Sequence, residues 1–183
     1  MNYIIILIGL PGCGKTKFIE NFTGITVDPF KCYDDWNIDF TNNYHNDLMK
    51  DNRRDFFTKD LMSENIIISS VDFCDENYLK RFIEEILKIN KNININKIYF
   101  EKNVFKLIKN VILRDVEKGG YFKYIEGKGY WYFGRHRDNI PILKKEIENI
   151  KKMYDIYNIP KDSIKIKLKE KKGDIPYQFL SFL

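Results

Sequence analysis

Eight consecutive residues, Gly9-Leu10-Pro11-Gly12-Cys13-Gly14-Lys15-Thr16, have the spacing GxxxxGK[ST]. Each residue type has a physical task toward a bound polyphosphate. Gly9, Gly12 and Gly14 let the backbone turn tightly, so that its N–H groups, that of Cys13 among them, aim inward. A helix opening at Lys15 would turn its positive end to the same point and favour an anion there. Lys15 adds a cation for the β- and γ-phosphates and is expected to face solvent when no nucleotide is bound. The Thr16 hydroxyl suits a magnesium ion that keeps most of its water. These residues point to a nucleoside triphosphate held with Mg2+.

Chemistry on that triphosphate needs further groups. Asp28 is read as following a second strand, at the carboxyl edge of the sheet where open α/β folds bind ligands. It is the first choice to accept a proton from an attacking hydroxyl, with Asp34 and Asp35 as alternatives a few residues on. Asp72 lies two residues beyond the end of an apolar strand. It either holds a water on the metal or meets the acceptor, or it merely starts a loop and helix. Charge on a moving phosphoryl group calls for arginine. Arg114 ends a helix, and Arg135 and Arg137 flank His136 in a stretch suited to close over the nucleotide, Arg135 on the nucleotide itself. His136 is read as a surface histidine.

These groups need a frame. The run Tyr3-Ile4-Ile5-Ile6-Leu7-Ile8 directly before the loop is apolar and mostly β-branched, as in a central strand buried on both faces. Residues 15–22 predict a helix, 25–27 a brief strand, 28–40 a loop, 45–62 a helix and 66–68 a third buried strand. Asp75 is placed to cap a helix whose buried face is Leu79, Phe82, Ile83, Ile86 and Leu87. Residues 97–101 predict a fourth strand. Asn103 is placed to cap a helix that buries Val104, Leu107, Ile108, Val111 and Ile112. A last helix carries Leu143, Ile147, Ile150, Tyr154 and Tyr157 and ends before Pro160. Residues 164–168 alternate as a final strand. Strands alternating with helices mean one α/β domain over residues 1–183, with a mainly parallel sheet.

Residues 121–133 depart from that alternation. They read as two aromatic-rich strands around a glycine-containing turn, a β-hairpin in an insertion over about 115–139. Rings beside Lys123, Lys128, Arg135 and Arg137 suit single-stranded nucleic acid, whose bases stack while cations meet phosphates. The same rings would equally serve to pack the hairpin onto its own protein or a neighbouring subunit.

Charge is divided along the chain. Residues 1–90 carry 10 Lys plus Arg against 15 Asp plus Glu, whereas residues 91–183 carry 21 against 11. The second half is thus the basic half and a region to face phosphates. Cys13, Cys32 and Cys74 are widely spaced and include no CxxC pair, which argues for three reduced thiols rather than a disulfide framework or zinc site. No apolar run approaches the ~20 residues of a bilayer span, and residues 3–8 are too short and lack the basic leader of a signal peptide. An intracellular, cytoplasmic protein without membrane contact is expected.

Taken together, the loop with Ile8, the aspartates at 28, 34 and 35, the strand Ile67-Ile68-Ser69-Ser70-Val71-Asp72, and Tyr99-Phe100-Glu101 with Leu107-Ile108-Lys109-Asn110 and Arg114 resemble the P-loop kinases of the polynucleotide 5′-kinase type and related small phage-like proteins. The resemblance spans residues 3–157. It implies a sheet in the order 2-3-1-4-5, ATP-dependent phosphorylation of a hydroxyl, a general-base aspartate among Asp28, Asp34 and Asp35, and Arg114 as the catalytic lid arginine. The sequence departs from the family where Ser70 replaces an aspartate, in the spacing of the aspartate loop and in the longer aromatic lid. The favoured acceptor is a nucleic-acid 5′-hydroxyl. A small metabolite or nucleoside, or a slowly hydrolysing ATP-dependent regulatory role, are the alternatives.

Overall fold

A computed structural model describes residues 2–23, 30–33, 48–117, 121–126, 129–133 and 142–175. Strand β1 (Tyr3–Ile8) runs through the middle of a five-stranded sheet. It pairs with a strand on each side, and Ile4, Ile6 and Leu7 are fully enclosed. Helix α1 (Lys15–Thr23) follows the glycine loop. Next come β2 (Phe30–Tyr33), α2 (Leu48–Ser63) and β3 (Asn65–Ser70), then a single 3-10 turn, Asp72–Cys74, that leads into α3 (Glu76–Ile89). Strand β4 (Asn94–Phe100) and helix α4 (Val104–Glu117) precede a separate antiparallel pair, β5 (Tyr121–Ile125) and β6 (Gly129–Phe133). Helix α5 (Ile142–Ile156) and strand β7 (Ile164–Ile166) complete the domain.

The sheet order is β2-β3-β1-β4-β7 and all its pairings are parallel. Counting only its own strands, this is the order 2-3-1-4-5. Ile8 sits level with Ser70 on one side and Tyr99 on the other, so β1, β3 and β4 end together at one edge. The two outer strands have only 4 and 3 residues, which leaves little unpaired backbone at the sheet margins. No described helix is long and apolar enough to cross a membrane.

Several local expectations hold. The Asp75 carboxylate accepts from the N–H groups of Asn77 and Tyr78 and so caps α3. The Asn103 carbonyl oxygen Oδ1 accepts from Lys106 N at the start of α4. The aromatic segment does form a hairpin, with Lys123 opposite Trp131 and Tyr124 opposite Tyr130. Other boundaries shift. The second strand is Phe30–Tyr33, inside the stretch read as a loop, while residues 25–27 lie outside the described residues. Strand β4 begins at Asn94, three residues early, because pairing with the buried β1 carries its polar start. Strand β7 stops at Ile166. Leu87 is exposed although it falls at helical spacing, since the buried stripe of α3 narrows to Leu79, Phe82 and Ile86 near its end.

Two rows of rings fix α1 and α2 on the sheet. Phe22 lies between Phe30 of β2 and Phe18, with centroids 5.3 and 5.6 Å away, and Phe18 meets Phe100 of β4 edge-on at 6.0 Å. On the α2 side, Phe57 meets Tyr33 edge-on at 5.1 Å and Phe82 at 6.2 Å, and Phe82 meets Phe73 at 4.7 Å. The Tyr33 hydroxyl donates to Asp60 Oδ2 at 2.5 Å, which ties the end of β2 to α2. Burial, and then that carboxylate, raise the Tyr33 pKa.

Tyr157, just past α5, closes the core. Its buried hydroxyl lies 2.9 Å from Ile8 O and 2.7 Å from Phe100 O, between the last carbonyls of β1 and β4. Burial raises its pKa well above that of a free phenol. Lys102 holds the same junction from outside, donating to Tyr154 O and Tyr157 O at 2.7 and 2.6 Å with its ammonium 4.5 Å from the Tyr154 ring centre. Tyr157→Phe keeps the ring and leaves two buried carbonyls without their donor. The expected loss is about 1–3 kcal/mol of unfolding free energy in urea, with an unchanged slope. A variant as stable as the parent would show that the hydroxyl adds nothing.

Candidate phosphate-binding site

The loop between β1 and α1 is built around excluded side chains. A Cβ on Gly9 would come within 2.7 Å of Cys13 Sγ and 2.9 Å of Phe100 Cβ. Gly12 has φ +80 and a Cβ there would meet Leu107 O of α4 at 2.6 Å. Gly14, at φ +99, has open space around it and is required by backbone conformation alone. Within this turn Cys13 N donates to Leu10 O, and Phe18 N donates to Gly14 O as the helix begins. The spacing that suggested a phosphate-binding loop therefore produces a compact turn at the carboxyl edge of the sheet, opening directly into a helix N-terminus.

Lys15 does not face solvent as its sequence position suggested. It is 8% exposed, and its ammonium donates to Gly9 O at 2.6 Å and Leu10 O at 3.3 Å. The long stem folds back under the loop because two carbonyls there are turned toward a single cation. Thr16 is exposed in the first turn of α1.

Beside Lys15 lie two thiols. Cys13 and Cys74 are buried. Burial lifts the Cys13 pKa against the smaller opposing pull of the Lys15 charge. Burial likewise pushes Cys74 up to about 12. Both are neutral packing groups at ordinary pH.

Asp72 stands in that turn. Its backbone N–H donates to Ser70 Oγ at 3.2 Å, and Ser70 Oγ lies 3.4 Å from Asp72 Oδ2. Ser70, at the strand end where an acid was expected, is itself buried. It thus holds the next acid in the chain. The Thr16 hydroxyl and Asp72 carboxylate are oxygen donors of the kind magnesium takes, one neutral and one charged, which leaves its other positions to water and phosphate. In chemistry the pair fits Mg2+.

Arg114 lies one helical turn beyond Asn110, whose side chain touches the loop. Its Nη2 donates to both oxygens of Glu146 on α5, at 2.7 and 2.8 Å, with the pair about one-third exposed. Glu146 is 32 residues away in sequence, and no local pattern announces the pairing. Asp28, Asp34, Asp35, Arg135, His136 and Arg137 lie outside the described residues. The premise that Asp28 follows the second strand nevertheless changes, because β2 begins at Phe30 and the residues directly after it are Asp34 and Asp35.

Residues that sequence reading left without a task also prove central. Tyr157 Oη reaches Ile8 O one residue before Gly9, and Asn110 reaches Gly12 O. A lone polar residue on the apolar face of a helical stripe, as Asn110 is between Leu107 and Val111, was the available signal.

No protein-family model matches the chain, and no curated protein matches its sequence. In three dimensions it is similar to a fungal RNA kinase, with a TM-score of 0.52 and 13% identity over 94% of this chain and 76% of that one. At that identity the likeness concerns the fold, an α/β domain with a parallel 2-3-1-4-5 sheet.

Thiol chemistry checks the site's packing. At pH 8 a thiol-specific reagent should modify exposed Cys32 first and leave Cys13 and Cys74 until the protein unfolds. Because the native state keeps Cys74 protonated up to about 12, against 9.0 for an ordinary thiol, stability should fall as pH rises through that window and be unaffected by this group below it. Labelling of all three at equal rates, read by mass spectrometry, would contradict the burial of the loop.

Proposed function

We propose that the protein transfers the γ-phosphoryl group of ATP to a hydroxyl, with a nucleic-acid 5′-hydroxyl as the favoured acceptor. One observation carries the reading. A turn with no room for side chains at Gly9 and Gly12 leads from the buried β1 into α1, with the Lys15 ammonium gathered beneath it. The shared fold with a fungal RNA kinase supports the acceptor class.

In this reading the loop N–H groups and the N-terminus of α1 hold the phosphates. Lys15 exchanges the carbonyls of Gly9 and Leu10 for phosphate oxygens. Thr16 and Asp72 would hold Mg2+, which would supply positive charge to the bound phosphates. The acceptor oxygen bonds to the γ-phosphorus as the bond from that phosphorus to the β–γ bridging oxygen breaks, and ADP leaves. The hydroxyl proton passes to a carboxylate. By chain position Asp34 or Asp35 suits that role better than Asp28, because they directly follow Tyr33, which Asp60 anchors at the carboxyl end of β2. Arg114 leaves Glu146 to meet the moving group, and Arg135 completes the nucleotide's cover.

Phosphate transfer from radiolabelled ATP to a 5′-hydroxyl oligonucleotide, and separately to nucleosides, tests this. Lys15→Ala should remove activity. Arg114→Ala should lower kcat about 10³-fold with little change in ATP affinity, since its charge is needed mainly in the transition state. Asp34→Asn or Asp35→Asn should be more damaging than Asp28→Asn. Transfer to nucleosides but not to oligonucleotides would make the enzyme a small-molecule kinase, and ATP hydrolysis without any acceptor would favour a regulatory module.

The hairpin supplies an independent check on the acceptor. With Lys123, Lys128, Arg135 and Arg137 releasing counterions, affinity for single-stranded oligonucleotide should fall steeply as salt rises. Trp131→Ala should cost about 1–3 kcal/mol of that affinity while ATP binding stays unchanged. Fluorescence anisotropy at two salt concentrations, with melting curves on the same samples, reads both. Loss of thermal stability without any oligonucleotide binding would assign the hairpin to packing alone.

A further inference from the structure

Asn110 is buried in the middle of α4, with 6% of its surface exposed. Both of its amide hydrogens and its amide oxygen are engaged. Nδ2 donates one hydrogen to Gly12 O at 2.9 Å and the other to Lys169 O at 2.8 Å, while Oδ1 accepts from Lys171 N at 2.7 Å. A side-chain amide offers two donors at one end and acceptor capacity at the other, and no other side chain of this size does so without charge. The three partners are backbone groups from two places far apart in sequence: the apex of the glycine loop and the segment that follows β7.

That segment is also fastened from outside. Glu170 accepts from Lys109 at 2.7 Å and lies 3.9 Å from Lys106, and Lys171 pairs with Glu117. The hydrogen bond from Lys109 holds the Glu170 carboxyl below its usual pKa range. These pairs lie at the surface and contribute little each. They do hold residues 169–171 alongside α4, which is what lets Asn110 reach them.

We infer that Asn110 is a positioning residue for the phosphate-binding loop: it fixes the Gly12 peptide by its carbonyl, with residues 169–171 as the counter-support that fixes the amide. The orientation of the Gly12 carbonyl sets that of the same peptide plane's N–H, on Cys13, which donates to Leu10 O, and so fixes the turn from which the N–H groups of residues 14–16 project. Gly12 has little freedom to adjust in compensation, because even a Cβ there would come within 2.6 Å of Leu107 O and 2.9 Å of Val111 Cγ2. The use of this geometry for ATP rests on the function proposed above. The clamp itself does not, and the two can be tested apart.

Two variants separate the parts of the clamp. Asn110→Asp keeps the acceptor for Lys171 N and loses both donors. Lys171→Pro removes the N–H that Oδ1 accepts, whereas Lys171→Ala loses only the ion pair with Glu117. Hydrogen exchange in the nucleotide-free protein should show faster exchange at residues 12–15 in Asn110→Asp and Lys171→Pro but not in Lys171→Ala. Calorimetric titration with ATP and magnesium should show about tenfold weaker binding in Asn110→Asp, the loss of roughly one hydrogen bond's worth of preorganisation. Turnover at saturating ATP should change much less. Ile150→Val, a core substitution away from the loop, serves as the stability control and should leave both loop exchange and ATP affinity as in the parent. Parent-like loop exchange in both clamp variants, or an equal loss of ATP affinity in Ile150→Val, would overturn the inference. Faster loop exchange in a protein whose parent form does not bind ATP would uphold the clamp and reject the nucleotide reading instead.

Discussion

The first turn after β1 has no room for a side chain at Gly9 or Gly12, and much of the domain is arranged around that restriction. Gly9 is pressed between the Cys13 thiol and Phe100, and Gly12 against the backbone of α4 at Leu107. The loop is therefore moulded by two neighbours at once, the end of β4 and the middle of α4. A bound anion would meet a backbone already held in its curved form, so little ordering is left to be done on binding. The same close approach explains why Cys13 and Cys74 are thiols. Both are small and apolar enough to fill the space that the glycines leave, and burial keeps them uncharged beside Lys15.

Lys15 shows how such a turn manages an unliganded cation. Burying an ammonium is costly unless its hydrogen-bonding capacity is met. Here two carbonyls of the loop meet it, so the charge is kept at the site rather than dispersed into solvent. Arg114 is stored in a comparable way against Glu146. Both cations thus have internal partners, of which one is backbone and the other an acid on a neighbouring helix. Were these partners exchanged for phosphate oxygens, one set of polar contacts would replace another without exposing a bare charge.

The parts of this design that are local in sequence were legible in it. The GxxxxGK[ST] spacing, the β-branched run of β1, the caps Asp75 and Asn103 and the aromatic hairpin all depend on residues within a few positions of one another, and each stands where local chemistry placed it. The second strand was missed because Phe30-Lys31-Cys32-Tyr33 has no alternation to announce it. It is a strand because Phe22 and Phe57 pack on its two ends and β3 supplies its ladder. Lys15 was misjudged for the same reason: its partners are carbonyls, which carry no sequence signal. Tyr157 and Asn110 act on backbone 149 and 98 residues away, and only the folded chain reveals those pairings.

Helices α4 and α5 pack side by side, joined by Arg114 and Glu146, and Lys102 ties the start of α4 to the end of α5. Residues 118–141, hairpin included, leave from one of these helices and return to the other. Their two anchor points are consequently set by the frame and not by the excursion between them. The entropy of closing such an excursion grows only with the logarithm of its length, about 0.6 kcal/mol for each doubling. This stretch can accordingly be lengthened, shortened or exchanged at small thermodynamic cost to the sheet and the glycine loop. In evolutionary terms the domain separates a fixed frame from a connection of variable length: selection can change the sequence between α4 and α5 while the glycine turn after β1 stays as it is.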